Sequence, residues 1–419
     1  MSTCGVTTTN VTGVLWKTVS EACNLACEYC YYSKCKGKID KLNRIEDEVL
    51  EKFIKEYMAM SNGIASFVWQ GGEPLLAGLD FFKKVVSLQA KYAKRNTMIS
   101  NSIQTNGTLI TPEWARFFKS YNFLVGVSLD GPKHLNDAKR VTGSGGGSFY
   151  SIMKGIQYLR DENVDFNILT VIHERNVTKG KELMEFYLNE QFTFVQFIPC
   201  MDFKSQEVDQ LGRYTITPEQ YGDFLCQVFD IWYNDGNPII SERFFDNMLA
   251  VYLHQEAEIC IHRKTCPKTL ILEQNGDAYP CDFYIHEDYY LGNVGKEPLI
   301  DIIKHKKFNE FTSLKEDLSE QCLSCEFLNL CHGGCPRARS WDSQKQTSNV
   351  EYFCQSYKQI YRYAHERMEI VADKVKERRL IEYIQKGGRL PERNELCICG
   401  SGKKYKKCCG KYKTLYDIT

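Results

Sequence analysis

Cys23-Asn24-Leu25-Ala26-Cys27-Glu28-Tyr29-Cys30 is the stretch that decides how the rest of this 419-residue chain is read. Its three thiols stand at C-x3-C-x2-C spacing. Four thiolates close the coordination of an iron–sulfur cubane, whereas three leave one iron open. An open iron in a short loop can chelate a small cofactor, so the spacing points to chemistry as well as to redox storage. The competing reading, ordinary buried thiols, needs a chance pattern expected at roughly a few per cent in so cysteine-rich a chain.

Outward from this run, apolar segments fall at 13–19, 64–69, 98–104, 123–129, 165–172 and 192–198. Helical patterns lie between them near 46–60, 79–93, 112–120, 149–161 and 180–189. Strands separated by helices predict parallel βαβ units, as a partial barrel or an open doubly wound sheet. Both architectures gather ligands at the carboxyl ends of the strands. The three-cysteine run follows the first predicted strand, Gly71-Gly72-Glu73-Pro74 the second, Thr105-Asn106-Gly107 the third and Asp130-Gly131-Pro132 the fourth. That coincidence predicts one shared site. Residues 201–256 read as mainly helical, and a charged amphipathic helix is expected over 355–385, with Gly387-Gly388 as a hinge before a small tail.

Lys+Arg and Asp+Glu both number 53, so no global charge directs the chain to nucleic acid or to a membrane. The bias is local: residues 373–413 hold 13 Lys/Arg against five acids, a formal +8. Residues 1–10 are polar and lack the apolar run of a signal peptide, and no stretch approaches 18 uninterrupted apolar residues. Without an export signal, 19 cysteines at close spacings read as metal ligands rather than disulfides. A cytoplasmic metalloprotein with no membrane partner is the expectation.

Gly71-Gly72-Glu73-Pro74 is a turn whose glycines allow close backbone approach to a ligand, and Glu73 offers an acceptor to a cationic amine. Together with the three-cysteine run it resembles the radical S-adenosylmethionine (SAM) superfamily. The resemblance implies a partial (β/α)6 barrel, a [4Fe–4S] cluster on Cys23, Cys27 and Cys30, and SAM completing the open iron. It further implies that Tyr29 lies beside the adenine and that Gly71, Gly72, Glu73 and Pro74 hold the SAM amine. Ser128, Asp130 and Arg140 are then candidates for the ribose and carboxylate, although a capped turn would use the same residue types. The implied chemistry is reductive cleavage of SAM to a 5′-deoxyadenosyl radical; the protein positions one substrate hydrogen and excludes water.

A second cysteine field follows: Cys260, Cys266, Cys281, Cys322, Cys325, Cys331, Cys335 and Cys354. Eight ligands suit two fully ligated four-cysteine clusters, or a pair of zinc ions. The pattern resembles the SPASM domain with its two auxiliary [4Fe–4S] clusters. By that resemblance Cys260, Cys266, Cys281 and Cys335 hold one cluster and Cys322, Cys325, Cys331 and Cys354 the other. Cys4, Cys35, Cys200 and Cys226 receive no ligand role. A finer resemblance, over about 14–368, is to the anaerobic sulfatase-maturating enzymes, which oxidise a cysteine or serine of a sulfatase to Cα-formylglycine. In Tyr279-Pro280-Cys281-Asp282 it puts Asp282 in the place of a general base, and it makes Tyr32 and Gln104 substrate-cavity residues. The competing use of Asp282 is a turn carboxylate bonded to its own backbone. A low-potential electron donor such as flavodoxin or ferredoxin is an implied partner.

Cys397, Cys399, Cys408 and Cys409 form C-x-C-x8-C-C, four thiolates in a segment too short to build an apolar core. A structural zinc site is expected, and the segment resembles the SEC-C motif. Its lysines offer contact to an acidic protein, a ribosome or nucleic acid, or are simply a solvated face. The expected domains are 1–235 for the barrel, 236–372 for SPASM and 373–419 for the linker and zinc motif. Two rival functions stand beside sulfatase maturation: maturation of a small peptide through a thioether, carbon–carbon bond or epimerisation, and a non-catalytic metal-binding adaptor.

Overall fold

A computed structural model describes residues 11–31, 35–39, 42–202, 213–214, 216–342 and 347–411. The described residues fall into two compact units built from interleaved segments, one drawn from 1–176, 198–215 and 265–317, the other from 177–197, 216–264 and 318–419.

In the first unit the alternating pattern of the sequence becomes β1 (Gly13–Lys17), α1 (Asp47–Met60), β2 (Ile64–Gln70), α2 (Leu79–Tyr92), β3 (Met98–Thr105), α3 (Pro112–Ser120), β4 (Leu124–Ser128), α4 (Lys133–Asn136), α5 (Phe149–Asp161) and β5 (Phe166–Ile172). The strands pair in parallel and in sequential order, β1-β2-β3-β4-β5. A doubly wound sheet would reverse direction part-way through its strand order; this order does not, so of the two predicted architectures the barrel type is the one adopted. Helices cover one face because every second residue of the strands is apolar. Ala65, Phe67 and Trp69 of β2 are buried, and Trp69 meets Phe81 and Phe82 of α2 edge-on at 6.2 and 5.6 Å. α3 begins where Thr111 accepts from the Trp114 amide and Pro112 takes the first helical position.

On its other side β1 pairs in parallel with the strand Thr269–Leu272, which turns back antiparallel into Asp277–Tyr279. This return places residues 281 and 282 just past the end of a strand two places from β1.

The second unit contains α6 (Gly180–Asn189), α7 (Pro218–Tyr233) and α8 (Arg243–Tyr252). α7 opens on a capping box between Thr217 and Gln220. The 32-residue helix Cys354–Gln385 lies against it, with Gln359 donating to Asp223 at 2.7 Å and Arg367 paired with Asp230 at 2.7 Å. Among the described residues no helix is long and apolar enough to cross a membrane.

Candidate functional site

β1 ends at Lys17, and the chain enters the three-cysteine loop six residues later. Backbone pairing holds that loop: the Ala26 amide donates to the Val141 carbonyl at 2.7 Å, the Glu28 amide donates to Lys139 at 3.2 Å, and Leu25 bridges Thr142. The same pairing carries Arg140 over the Tyr29 ring, 5.5 Å from its centroid. The Cys23 sulfur accepts from the Leu25 amide at 3.4 Å and from Asn106 at 3.8 Å. Burial pushes the Cys23 thiol up to about 12, with the charges of Glu73, Cys27 and Cys30 adding to it. Cys27 is pushed up to about 11, again chiefly by burial and against the opposing charge of Arg140. Thiols gathered and desolvated in this way become thiolates when a cationic centre binds them.

Gly71 and Gly72 make the turn after β2 with φ of 89° and 52°. A Cβ on Gly72 would stand 2.0 Å from the Ala22 carbonyl oxygen, and one on Gly71 would stand 2.8 Å from the Lys17 side chain. The turn is thus seated directly under the cysteine loop, and the Glu73 amide donates to the Ala22 carbonyl at 2.8 Å. Glu73 is fully buried. Its carboxylate accepts from Thr105 at 2.7 Å, from the Asn106 amide at 2.7 Å and from the Leu75 amide at 3.0 Å. Burial still lifts its pKa to about 7, opposed by those backbone donors. The expectation was that this carboxylate receives an amine from the ligand. Three donors of its own chain already bind it, and a carboxylate has room for about four.

Past β4, Asp130 is a fully buried hub. It pairs with Arg140 at 3.0 Å, accepts from the Tyr29 hydroxyl and from the Val171 amide at 3.0 Å, and lies 3.9 Å from the His173 ring. His173 is itself fully buried and stacks on Tyr29 with centroids 5.5 Å apart. Burial lowers its pKa, so it is neutral at pH 7. Ser128 accepts from Gln104 at 3.0 Å. Gln104 occupies the space that Gly126 leaves by lacking a side chain, since a Cβ there would stand 2.1 Å from its amide oxygen.

Asp282 is not a turn carboxylate bonded to its own backbone. It forms an ion pair with the buried Lys17, and the Tyr31 hydroxyl donates to its other oxygen at 2.6 Å. β1 supplies the lysine and the cysteine loop supplies the tyrosine, so the carboxylate is tied to the elements that carry Cys23, Cys27 and Cys30.

Of the later cysteines, Cys266 and Cys281 belong to the first unit, and Cys260 and Cys335 to the second. Within the second unit, Cys322, Cys325, Cys331 and Cys354 line one cavity together with Tyr357 and Tyr361. In the tail the four sulfurs of Cys397, Cys399, Cys408 and Cys409 lie within 4.8 Å of one another. Burial opposes a Cys399 thiolate, but hydrogen bonds from Ser401 and Cys408 outweigh it and bring its pKa down to about 7. These sulfurs, with Leu380 and Tyr405, are themselves most of the local core, joined by Ile384 and Leu390. Lys403, Lys404, Lys406 and Lys407 are exposed. Tyr32 and Cys4 lie outside the described residues.

Comparison with known proteins agrees with this arrangement. Residues 18–187 match the radical SAM superfamily, 264–326 an iron–sulfur cluster-binding domain of SPASM type, and 393–411 the SEC-C motif. A cysteine-type anaerobic sulfatase-maturating enzyme of Clostridium perfringens is 37% identical over 369 residues, spanning 87% of this chain and 99% of that protein. A serine-type one of Bacteroides thetaiotaomicron is 35% identical over 376 residues, spanning 85% and 90%. The chain belongs to the anaerobic sulfatase-maturating enzymes.

A solved structure of a relative, native anSMEcpe with bound AdoMet and Cp18Cys peptide, superposes with a TM-score of 0.79 at 36% identity, covering 87% of this chain and 99% of that one. As an anaerobic sulfatase-maturating enzyme the chain is a radical SAM oxidoreductase that uses SAM and [4Fe–4S] clusters. The residues present fit those groups. The thiols of Cys23 and Cys27, both raised in pKa by burial, stand with Cys30 on a loop seated on a glycine turn. The four tail sulfurs match the soft donor set and close approach of a zinc site.

Sequence reasoning missed Lys17, Tyr31 and His173. Lys17 carried a signal: a lysine ends an apolar strand and is 0% exposed, and a buried lysine needs a partner. Tyr31 and His173 carried none, because their neighbours are far away in the chain.

Proposed function

We propose that this chain oxidises a cysteine or serine side chain of a sulfatase polypeptide to Cα-formylglycine. The observation that carries the reading is Asp282, held by Lys17 and Tyr31 in the unit that contains the three-cysteine loop. Cys23, Cys27 and Cys30 would hold the cluster on which SAM would be bound, and that pair would supply the radical chemistry that removes a Cβ hydrogen from the substrate. The protein's own task is the second hydrogen. Asp282 accepts the S–H or O–H proton, and Lys17 and the Tyr31 hydroxyl keep its carboxylate aimed.

The backbone of Gly71, Gly72, Glu73 and Pro74 receives the SAM amine, while the Glu73 carboxylate clamps the turn to the end of β3. Tyr29 lies at the adenine, with Ser128, Asp130 and Arg140 at the ribose and carboxylate; the Asp130–Arg140 pair fixes the guanidinium for that contact. Tyr32 and Gln104 line the substrate cavity. Cys260, Cys266, Cys281 and Cys335 ligate the first auxiliary cluster, and Cys322, Cys325, Cys331 and Cys354 the second. Those clusters would take up the remaining electron, and a low-potential donor such as flavodoxin or ferredoxin would reduce the enzyme. The barrel spans 1–235, the cluster-bearing domain 236–372 and the zinc tail 373–419, in a cytoplasmic protein. The exposed tail lysines are open to an acidic partner or to nucleic acid.

Mass spectrometry of a Cys-x-Pro-x-Arg peptide incubated anaerobically with enzyme, SAM and reductant tests this reading. The expected product has lost the sulfur and two hydrogens of the cysteine and gained one oxygen, because water hydrolyses the thioaldehyde and hydrogen sulfide leaves. A peptide cross-linked or epimerised while SAM is consumed would assign the chain to peptide maturation instead. Absence of 5′-deoxyadenosine from the reconstituted protein would favour the adaptor.

A further inference from the structure

The helix Cys354–Gln385 presents Cys354, Tyr357, Lys358 and Tyr361 to the cavity that Cys322, Cys325 and Cys331 also line. Their spacing, i, i+3, i+4 and i+7, is that of one helical face. Lys358 is half-buried, whereas Tyr361 is 0% exposed. The Tyr361 ring packs among Phe327, His262 and Phe244, with centroids 5.7, 6.1 and 6.2 Å away. Its hydroxyl is buried and has no hydrogen-bond partner among the described residues. A phenylalanine ring would fill the same space without enclosing a polar group, and buried hydroxyls are paired as a rule. Tyr361 shares the wall of this cavity with Cys322, Cys325, Cys331 and Cys354, so a cluster filling the cavity would bring sulfur to that wall.

We propose that the Tyr361 O–H donates a hydrogen bond to a sulfur of the four-cysteine cluster bound in this cavity and raises that cluster's reduction potential. The inference rests on the reading that Cys322, Cys325, Cys331 and Cys354 hold the second auxiliary cluster. Reduction adds one negative charge to the cluster. A fixed donor in a water-poor wall stabilises that charge more than the oxidised state, which moves the potential upward. Tyr361 acts through the cluster and is a positioning residue. The Tyr357 ring stacks beside it with centroids 6.3 Å apart.

The test is potentiometric titration followed by EPR on anaerobically purified holoenzyme, comparing the wild type with Tyr361→Phe at equal iron content. One cluster is expected to become harder to reduce, with its reduced-to-oxidised ratio at a fixed potential falling about tenfold, or about 59 mV for one electron. The other two clusters should keep their potentials. Three unchanged potentials at full iron content would overturn the hydrogen bond, and so would loss of iron from Tyr361→Phe, which would make the hydroxyl a structural support. In parallel, Cys354→Ala should remove about four iron atoms and the signal that shifts. If Cys354→Ala loses no iron, the cluster assignment fails and the hydrogen bond falls with it, whereas iron lost there beside three unchanged potentials in Tyr361→Phe overturns the hydrogen bond alone.

Discussion

Two metal-binding regions of this protein are built on opposite plans. The three-cysteine loop is held by contacts that involve none of its metal ligands' side chains. Backbone pairing to residues 139–142, the glycine turn beneath it and the buried Glu73 and Asp130 networks hold it in place. In the tail, Cys397 and Cys409 are themselves half of the four fully buried residues of the local core, with Leu380 and Tyr405. Remove the ion there and four thiols within 4.8 Å of one another are left to hold the segment. One region uses a scaffold to position a reactive group; the other uses a metal to make a scaffold. The difference teaches that cysteine spacing reports ligation but not what ligation is for.

The sharpest way to break this contrast is to replace Cys23, Cys27 and Cys30 together by Ala. SAM cleavage, read as 5′-deoxyadenosine by chromatography, is expected to fall to background with loss of about four iron atoms. The far-ultraviolet circular dichroism should be retained, and a collapsed spectrum would show that the loop is a scaffold after all. Asp282→Asn comes next. Formylglycine formation, measured by peptide mass spectrometry, should fall about 10²- to 10⁴-fold while SAM cleavage continues. Equal losses of both would place the carboxylate at the cofactor rather than at the substrate proton.

Gly72→Ala tests how tightly the scaffold is set. Its Cβ would meet the Ala22 carbonyl at 2.0 Å, so a cost of about 1–3 kcal/mol in denaturant unfolding is expected. An unchanged midpoint would mean that the cysteine loop yields. The smallest effect on catalysis is expected from the tail. Cys409→Ala should lose zinc by elemental analysis, and amides of residues 395–411 should lose hydrogen-exchange protection, because structural zinc contributes about 10–16 kcal/mol in such motifs. SAM cleavage should stay within about twofold. A loss comparable to that of the triple cysteine variant would erase the distinction between the two regions.

The strand and helix positions of the first unit were legible because β2 alternates buried and open residues and because Thr111-Pro112 marks a helix start. All six predicted strands appear, β6 as Phe194–Pro199. The tail cysteines were legible for a related reason: four ligands within a few residues need little tertiary help to meet. Glu73 was only half legible. The motif drew attention to it, but its carboxylate is engaged by Thr105, Asn106 and Leu75, donors that β3 and the following turn supply. Lys17 and Tyr31 stayed hidden because their partner, Asp282, is 251 residues beyond Tyr31 in the chain.

By itself the sequence determined the ligand chemistry: thiolate spacing sets how many bonds a metal can receive, and residue periodicity sets which elements form. Both are local properties, read over a few residues. Only the tertiary structure decided the sequential strand order, the ion pair that aims Asp282, the donors that occupy Glu73 and the buried Tyr361 hydroxyl in a cysteine-lined wall. Each of these depends on groups brought together from distant parts of the chain, and burial then magnifies their interaction by removing the water that would screen it.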